Sequence, residues 1–183
     1  MFLAYLSIVP GMAVFLVRIE TDFAECHANF YEAVRTGAPL SELERLKAGM
    51  VEAVRQGIYE VFKVQGLTVL FLVLSGPRVL RAFGLSPLHL PLYDVDLVAV
   101  AAQVLLLAIL NVFFYLDQRP IALALSVLLL VLNAGLSFVT IGLGAQYYGY
   151  GFGLAVFLTG VAGLAVLSRK LERLEYETFM LQG

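Results

Sequence analysis

The sequence has few charged residues and a single cysteine. Lysine, arginine, aspartate and glutamate together make up 14% of its 183 residues, against about 25% in soluble domains. The 12 basic and 14 acidic residues nearly cancel, which argues against a nucleic-acid-binding protein and against a disordered tail. Because Cys26 is the sole cysteine, an internal disulfide framework and a zinc site built from cysteines are excluded.

Hydrophobic residues, in contrast, make up 61% of the chain, where a soluble domain has about 45–50%. We therefore predict an all-α membrane protein, a bundle of about five transmembrane helices. A spanning helix needs about 20 mostly apolar residues. The first candidate span lacks the positive charge and the small-residue cleavage site of a signal peptide. The predicted spans are residues 1–17, 58–75, 97–116, 121–143 and 151–167.

The second span is the least regular of the five. Its uninterrupted apolar core, Leu67–Leu74, is too short to cross a bilayer, and extension back to Ile58 brings in Glu60 and Lys63. These two residues lie three apart and are expected to pair on one helix face. Gly76-Pro77 is expected to end the helix. In the fifth span, three glycines are expected to allow close helix packing: Gly153, Gly160 and Gly163.

The distribution of positive charge predicts the orientation in the membrane. Arg169, Lys170 and Arg173 follow the last span, while the loop before that span has no charge. The C-terminus, with a tail at 168–183, is therefore predicted to be cytoplasmic. The long segment 18–57 then also lies inside, in agreement with its five basic residues. Two arginines in the predicted outer loop, Arg78 and Arg81, run against this assignment.

The cytoplasmic segment 18–57 has the pattern of an amphipathic helical elbow. From Thr21 to Val34, apolar and aromatic side chains recur at helical spacing, and Thr36-Gly37-Ala38-Pro39 is expected to break the helix. Ser41 and Glu44 then have the spacing of a capping box at the start of the next helix. A packed elbow between two spans accounts for this pattern. A docking surface for a cytoplasmic partner is the alternative.

Polar residues inside the spans are the candidates for function, because polar groups that face lipid are costly and usually turn inward. Gln103, Asn111 and Asn133 either form hydrogen bonds between helices or line a transport pathway. Asp117 and Arg119 flank a short turn. They form either a hairpin clasp, which we favour, or a gate that pairs with another helix. No catalytic constellation, phosphate-binding loop or metal-ligand spacing is present, so we predict no enzymatic activity, cofactor or metal.

Several motifs, taken in order, resemble the PelG family of Pel exopolysaccharide transporters. The first span is followed by Arg18-Ile19-Glu20-Thr21-Asp22-Phe23 and then by Phe30-Tyr31 in the amphipathic helix. Further on come the helix entry Tyr59–Gln65 and the motif Asn111-Val112-Phe113-Phe114-Tyr115-Leu116-Asp117. The resemblance covers essentially the whole chain and rests on the order and spacing of these motifs.

This resemblance implies a polytopic protein of the bacterial inner membrane, from a flippase superfamily with about twelve helices in two bundles. The chain resembles the C-terminal part, from about the eighth helix on, so we expect a fragment of a larger transporter. The family implies export of an amino-sugar-rich polymer during biofilm matrix production. Its implied partners are the lipid bilayer, the polysaccharide cargo, other Pel membrane proteins and a cytoplasmic glycosyltransferase, with no nucleic acid.

Two hypotheses of different classes follow for function. The first is part of an exopolysaccharide exporter, in which the polar residues of the spans contribute to the path of the polymer. The second is a small membrane scaffold that organises partner proteins through its amphipathic cytoplasmic segment. A membrane-embedded transferase would need a catalytic constellation that the sequence does not contain.

Overall fold

The computed structural model describes residues 2–172 of the chain. Within this range the chain forms helices joined by short turns, with no β-strand. Five helical stretches are long and apolar enough to span a membrane, which confirms the predicted all-α, polytopic fold class. The predicted cytoplasmic position of Arg173, and of the tail from 173 to 183, lies outside the described residues.

The first 35 residues, as far as they are described, form a nearly continuous helical rod. It comprises α1 (Phe2–Tyr5), α2 (Ile8–Phe15), a π-helical segment (Leu16–Phe23) and α3 (Ala24–Arg35). The first span therefore runs directly through the π-helical segment into the elbow. π-Helical turns are rare, and those that do occur are often found at functional sites. This segment is therefore a candidate part of the functional site.

The interruption between α1 and α2 has a local cause at Pro10. Proline has no N–H to donate to the carbonyl of Leu6, and its ring crowds that carbonyl. The chain turns at Leu6–Ser7, where the hydroxyl of Ser7 donates to the carbonyl oxygen of Ala4 at 2.6 Å. At the break, the carbonyl group of Ala4 therefore has a hydrogen-bond partner in the side chain of Ser7.

The amphipathic helix α3 packs its apolar face into the protein. Phe30 is buried in the main hydrophobic core together with Phe23 of the π-helical segment, and Cys26, Tyr31 and Val34 are partly buried against the same core. The predicted break follows, and its turn has a positive φ of 72° at Gly37, a conformation that favours glycine.

Helix α4 (Leu40–Ala82) contains 43 residues and is about 65 Å long, roughly twice the hydrocarbon thickness of a bilayer. Its first half belongs to the elbow and its second half to the membrane. The predicted capping box is wrong, because Pro39 occupies the N-cap position in an extended conformation. The carbonyl oxygen of Pro39 accepts hydrogen bonds from the backbone of Glu42 and Leu43, which places Ser41 inside the first turn.

The expectation that Gly76-Pro77 ends this helix is also wrong. Pro77 lies inside α4, as prolines often do in membrane helices whose neighbours compensate for the missing hydrogen bond. Gly76 is buried against Leu90 and Tyr93 of the following segment, so packing holds the helix together at this point. The helix ends six residues beyond Gly76, before Gly84, which has a positive φ of 68°.

The last three helices are α5 (Leu90–Tyr115), α6 (Arg119–Leu143) and α7 (Tyr150–Glu172). Helix α5 starts at Leu90, seven residues before the predicted span. In the most apolar stretch of this part of the chain, half of the residues are buried, against 11% in the corresponding stretch of α6. Helix α5 is therefore the central helix, in contact with α1, α2, α4, α6 and α7, and α6 is peripheral.

Two of the three predicted packing glycines in α7 lie against α5. A Cβ at Gly153 would be 3.5 Å from the Cβ of Ala99, and a Cβ at Gly163 would be 3.1 Å from Cγ2 of Ile109. The prediction is wrong for Gly160, where nothing lies within 4 Å of that position.

Candidate functional site

Polar side chains lie along one face of the central helix α5. Asp96, Gln103 and Asn111 are seven and eight residues apart, a spacing that brings all three to the same side of an α-helix. Asp96 is buried, and Gln103 and Asn111 are partly buried. Within residues 2–172, the side-chain oxygens Oε1 of Gln103 and Oδ1 of Asn111 are buried without a hydrogen-bond partner. We call this face the polar face of α5.

The π-helical segment adds a carboxylate to this face. The side-chain amide of Asn111 donates a hydrogen bond of 3.0 Å to Oε1 of Glu20, which is 91 residues away in sequence. Glu20 is exposed, and the neighbouring α5 side chains Leu107 and Phe114 are 44% and 61% exposed. The polar face is thus open towards the end of α5 that carries Asn111.

The position of Glu20 depends on close packing between the π-helical segment and α4. A Cβ at Gly57 would be 2.7 Å from Cδ1 of Ile19, so the missing side chain of Gly57 creates the space that Ile19 fills. Ile19 and Phe23 are fully buried. These two apolar anchors fix the segment, and the polar residues between them point elsewhere.

An ion-pair cluster flanks the same segment. The guanidinium of Arg18 donates to Glu60 of α4 at 2.5 Å and to Asp22 at 2.7 Å, and Gln56 also donates to Glu60 at 3.3 Å. The predicted pair of Glu60 with Lys63 is replaced by this cluster, because the carboxylate of Glu60 faces the π-helical segment. The ammonium of Lys63 lies over the ring of Tyr59, 5.2 Å from its centroid.

A second polar contact between helices lies deeper in the bundle, at the break in the first span. Gln65 of α4 is 1% exposed, and its amide nitrogen donates to the carbonyl oxygen of Ser7 at 3.0 Å. A Cβ at Gly11 would be 2.2 Å from Oε1 of Gln65, so the glycine gives the amide its space. Gln65 therefore fastens the broken helix to α4.

The structure separates the five candidate residues predicted from sequence into three groups. Gln103 and Asn111 share the polar face of α5. Asn133 lies on α6, where its Oδ1 accepts a hydrogen bond from the hydroxyl of Ser137 at 3.1 Å. Asp117 and Arg119 pair with each other at 2.7 Å and are highly exposed, as expected for a clasp across the turn. Their role in transport stays a prediction, as does that of the other three.

Three polar residues of this site were not among the predicted candidates. Glu20 follows the first predicted span and precedes the amphipathic helix. A carboxylate at the start of a helix is usually explained by its favourable interaction with the helix dipole. Asp96 lies one residue before the predicted third span, and Gln65 lies in the helix entry Tyr59–Gln65. The spacing of Asp96 from Gln103 contained a signal, since seven residues are two helical turns. The contacts of Glu20 and Gln65 join distant parts of the chain and have no local signature.

The arrangement offers hydrogen-bonding groups. Carboxamides and a carboxylate on one face can bind hydroxyl and amine groups of a passing molecule. Among the described residues, no cluster of three or more histidine, cysteine or acidic side chains has the geometry of a metal site.

These features define the class of the protein: a multi-pass helical membrane protein with a polar face on its central helix. Within that class, the chain belongs to the PelG family. The family model, described as "Putative exopolysaccharide Exporter (EPS-E)", matches residues 1–179, which is nearly the whole chain. No curated protein and no solved structure matches the sequence.

Proposed function

We propose that this chain is part of an inner-membrane transporter that moves exopolysaccharide across the cytoplasmic membrane. The observation that carries the proposal is the match to the exporter family over residues 1–179. The polar face of α5 gives the proposal a physical basis. A carboxylate such as Glu20 is costly where it faces lipid, so its exposure beside Asn111 favours contact with water or with a polar cargo.

The chemistry of the polar face suits a carbohydrate polymer. Sugar hydroxyls both donate and accept hydrogen bonds, and the side-chain amides of Gln103 and Asn111 can do the same. Phe114 is exposed on the same side of α5 and offers an apolar surface to a sugar ring. We propose that the polymer passes along this surface without covalent chemistry, so the protein acts as a transporter and not as an enzyme.

The finer parts of the proposal follow the family resemblance. The cargo is a Pel-like, amino-sugar-rich polymer of the biofilm matrix, whose ammonium groups the carboxylate of Glu20 would bind. The chain would work with other Pel membrane proteins and a cytoplasmic glycosyltransferase. The C-terminus is cytoplasmic, in line with Arg169 and Lys170 at the end of α7 and the positive-inside rule.

Export assays on variants of the polar face test this proposal. In cells that depend on this protein for export, Asn111→Leu removes the amide that binds Glu20 and leaves the carboxylate unpaired. One hydrogen-bonding group on the path contributes about 0.5–1.5 kcal/mol, so we expect secreted polysaccharide to fall by about two- to tenfold. Gln103→Leu tests the same face at a second position, and Asn133→Leu tests whether the path includes α6.

The matched control is Asn29→Leu, because Asn29 is an exposed asparagine of α3 away from this face. Membrane levels of all variants are compared by immunoblot. Normal export by both Asn111→Leu and Gln103→Leu, at unchanged protein level, would remove the polar face of α5 from the transport path.

The scaffold hypothesis receives less support from the structure. A scaffold acting through the amphipathic segment needs a free apolar surface there, and the apolar face of α3 packs into the core through Phe30, next to Phe23 of the π-helical segment. The outward face of α3 carries Glu25, Asn29 and Glu32, which are exposed and typical of a solvated helix surface.

A further inference from the structure

A groove opens between α5 and α7 at the end of the bundle opposite Asn111. It has a volume of about 400 Å³. Its floor is formed by small residues, Ala99, Ala102 and Gly153, and its walls are larger apolar side chains, including Val98, Leu154 and Phe157. Phe157 is 58% exposed, so the groove faces outwards, towards the surroundings of the bundle.

One end of this apolar groove carries a carboxylate. Asp94 lines the groove together with Tyr150. Among residues 2–172, Oδ1 of Asp94 is buried without a hydrogen-bond partner, and Asp94 belongs to none of the ion pairs found there. No lysine, arginine or histidine lines the groove. Within the described part of the chain, the groove thus carries a carboxylate without a lining cation to match it.

The length of α5 is compatible with a position of Asp94 at the boundary of the membrane. Asp94 lies 21 residues before Tyr115, the last residue of α5, which is about 31 Å along the helix axis. The hydrocarbon layer of a bilayer is about 30 Å thick. With Tyr115 at one boundary of this layer, Asp94 is at the other, where lipid headgroups lie. The apolar part of the groove then extends from Asp94 into the acyl-chain region.

We propose that this groove binds an aminophospholipid, with the headgroup ammonium on Asp94 and one acyl chain over Ala99 and Ala102. The occupant follows from the charge and shape of the site. A primary ammonium provides the missing positive charge and N–H donors for the carboxylate, which the trimethylated nitrogen of phosphatidylcholine lacks. Tyr150 lines the same groove, and tyrosine is typical of the membrane interface.

The absence of tryptophan from the sequence allows a site-specific fluorescence test. The variant Phe157→Trp places a single reporter at the groove, and Phe138→Trp places one on the peripheral helix α6, where Phe138 is 80% exposed. Each protein is reconstituted into vesicles of phosphatidylcholine mixed with phosphatidylethanolamine or phosphatidylglycerol. Only one lipid at a time carries bromine atoms on its acyl chains, which quench tryptophan on contact.

For the Phe157→Trp reporter, we expect brominated phosphatidylethanolamine to compete about two- to fivefold better than brominated phosphatidylcholine, the range of one exposed ion pair. Phosphatidylglycerol, which is anionic, should compete less well than either. The Phe138→Trp reporter should show no preference. Adding Asp94→Asn to Phe157→Trp should abolish the preference, while the matched change Asp117→Asn, at the other end of α5, should leave it intact.

Three results would overturn the proposal. The first is an equal response of the Phe157→Trp reporter to all three lipids. The second is a preference that survives Asp94→Asn. The third is the same preference at Phe138→Trp, which would show a property of the whole bilayer contact. Because Asp94→Asn changes a single atom, a folded variant is expected, and circular dichroism checks it before the lipid measurement.

Discussion

At the scale of single residues, glycines decide how closely the helices of this bundle approach. Gly151, near the start of α7, is buried and faces the backbone of α6. A Cβ at Gly151 would be 2.7 Å from the backbone nitrogen of Ser137 and 2.8 Å from the carbonyl oxygen of Leu136. Since a backbone cannot rotate away as a side chain can, this position excludes even a methyl group.

We expect Gly151→Ala to lower the free energy of unfolding by about 1–3 kcal/mol, the usual cost of overpacking. Gly160→Ala is the matched control on the same helix, because nothing lies within 4 Å of a Cβ at that position. Its better helix propensity should instead stabilise the protein by up to about 1 kcal/mol. Thermal unfolding of both purified variants in detergent, compared with the wild type, measures the difference. A Gly151→Ala protein as stable as the wild type would contradict this close approach.

Individual residues also show which features of the candidate site can be predicted from the sequence and which cannot. The eight-residue spacing of Gln103 and Asn111 indicates that they share one helix face, so their position on the polar face of α5 was predictable. The hydrogen bond between Asn111 and Glu20 was not, because it joins residues 91 positions apart. Pairing within one helix was therefore overestimated, and Glu60 was assigned to Lys63 when its partner is Arg18 on another element.

At the scale of elements, the broken first span and α4 form a coupled unit. Pro10 causes the break, and Gln65 donates to the carbonyl of Ser7 within it. Replacing the proline restores an N–H and favours a straight helix, which would move Ser7 relative to Gln65. The two residues should therefore not act independently.

A double-mutant cycle of Pro10→Ala and Gln65→Leu tests this coupling. We expect a coupling free energy of about 0.5–3 kcal/mol, typical of residues in one hydrogen-bonded network. The control cycle pairs Pro10→Ala with Gln56→Leu. Gln56 is an exposed residue of α4, so those two effects should add. Equal additivity in both cycles, measured by unfolding in detergent, would show that the break does not depend on Gln65.

Element type was predictable here, and element boundaries were less so. Apolar segments of sufficient length indicated five membrane-crossing helices, and residues 2–172 contain five helical stretches long and apolar enough to cross a membrane. Gly76-Pro77 was read as a stop because local rules treat this pair as a helix breaker. Packing of Gly76 against Leu90 and Tyr93 outweighs that local preference, and a single sequence does not reveal such tertiary contacts.

At the scale of the whole molecule, the proposed orientation can be tested by labelling. Leu88, between α4 and α5, is 84% exposed and should face the outside of the cell. Asn29 of α3 is exposed and should face the cytoplasm. In a Cys26→Ser background, a membrane-impermeant maleimide should label Leu88→Cys in intact cells and Asn29→Cys only after permeabilisation. The reverse pattern would invert the proposed orientation and place the C-terminus outside.

The length of α4 also makes it a lever. Its 43 residues form one helix, so a movement of the end near Leu43 is expected to move the end near Gly76 as well. A push on the elbow by a cytoplasmic protein would be carried along α4 and would reach its polar contacts with the N-terminal rod at Glu60 and Gln65. In the proposed orientation, work done on the elbow in the cytoplasm would in this way be delivered as tilt inside the bilayer.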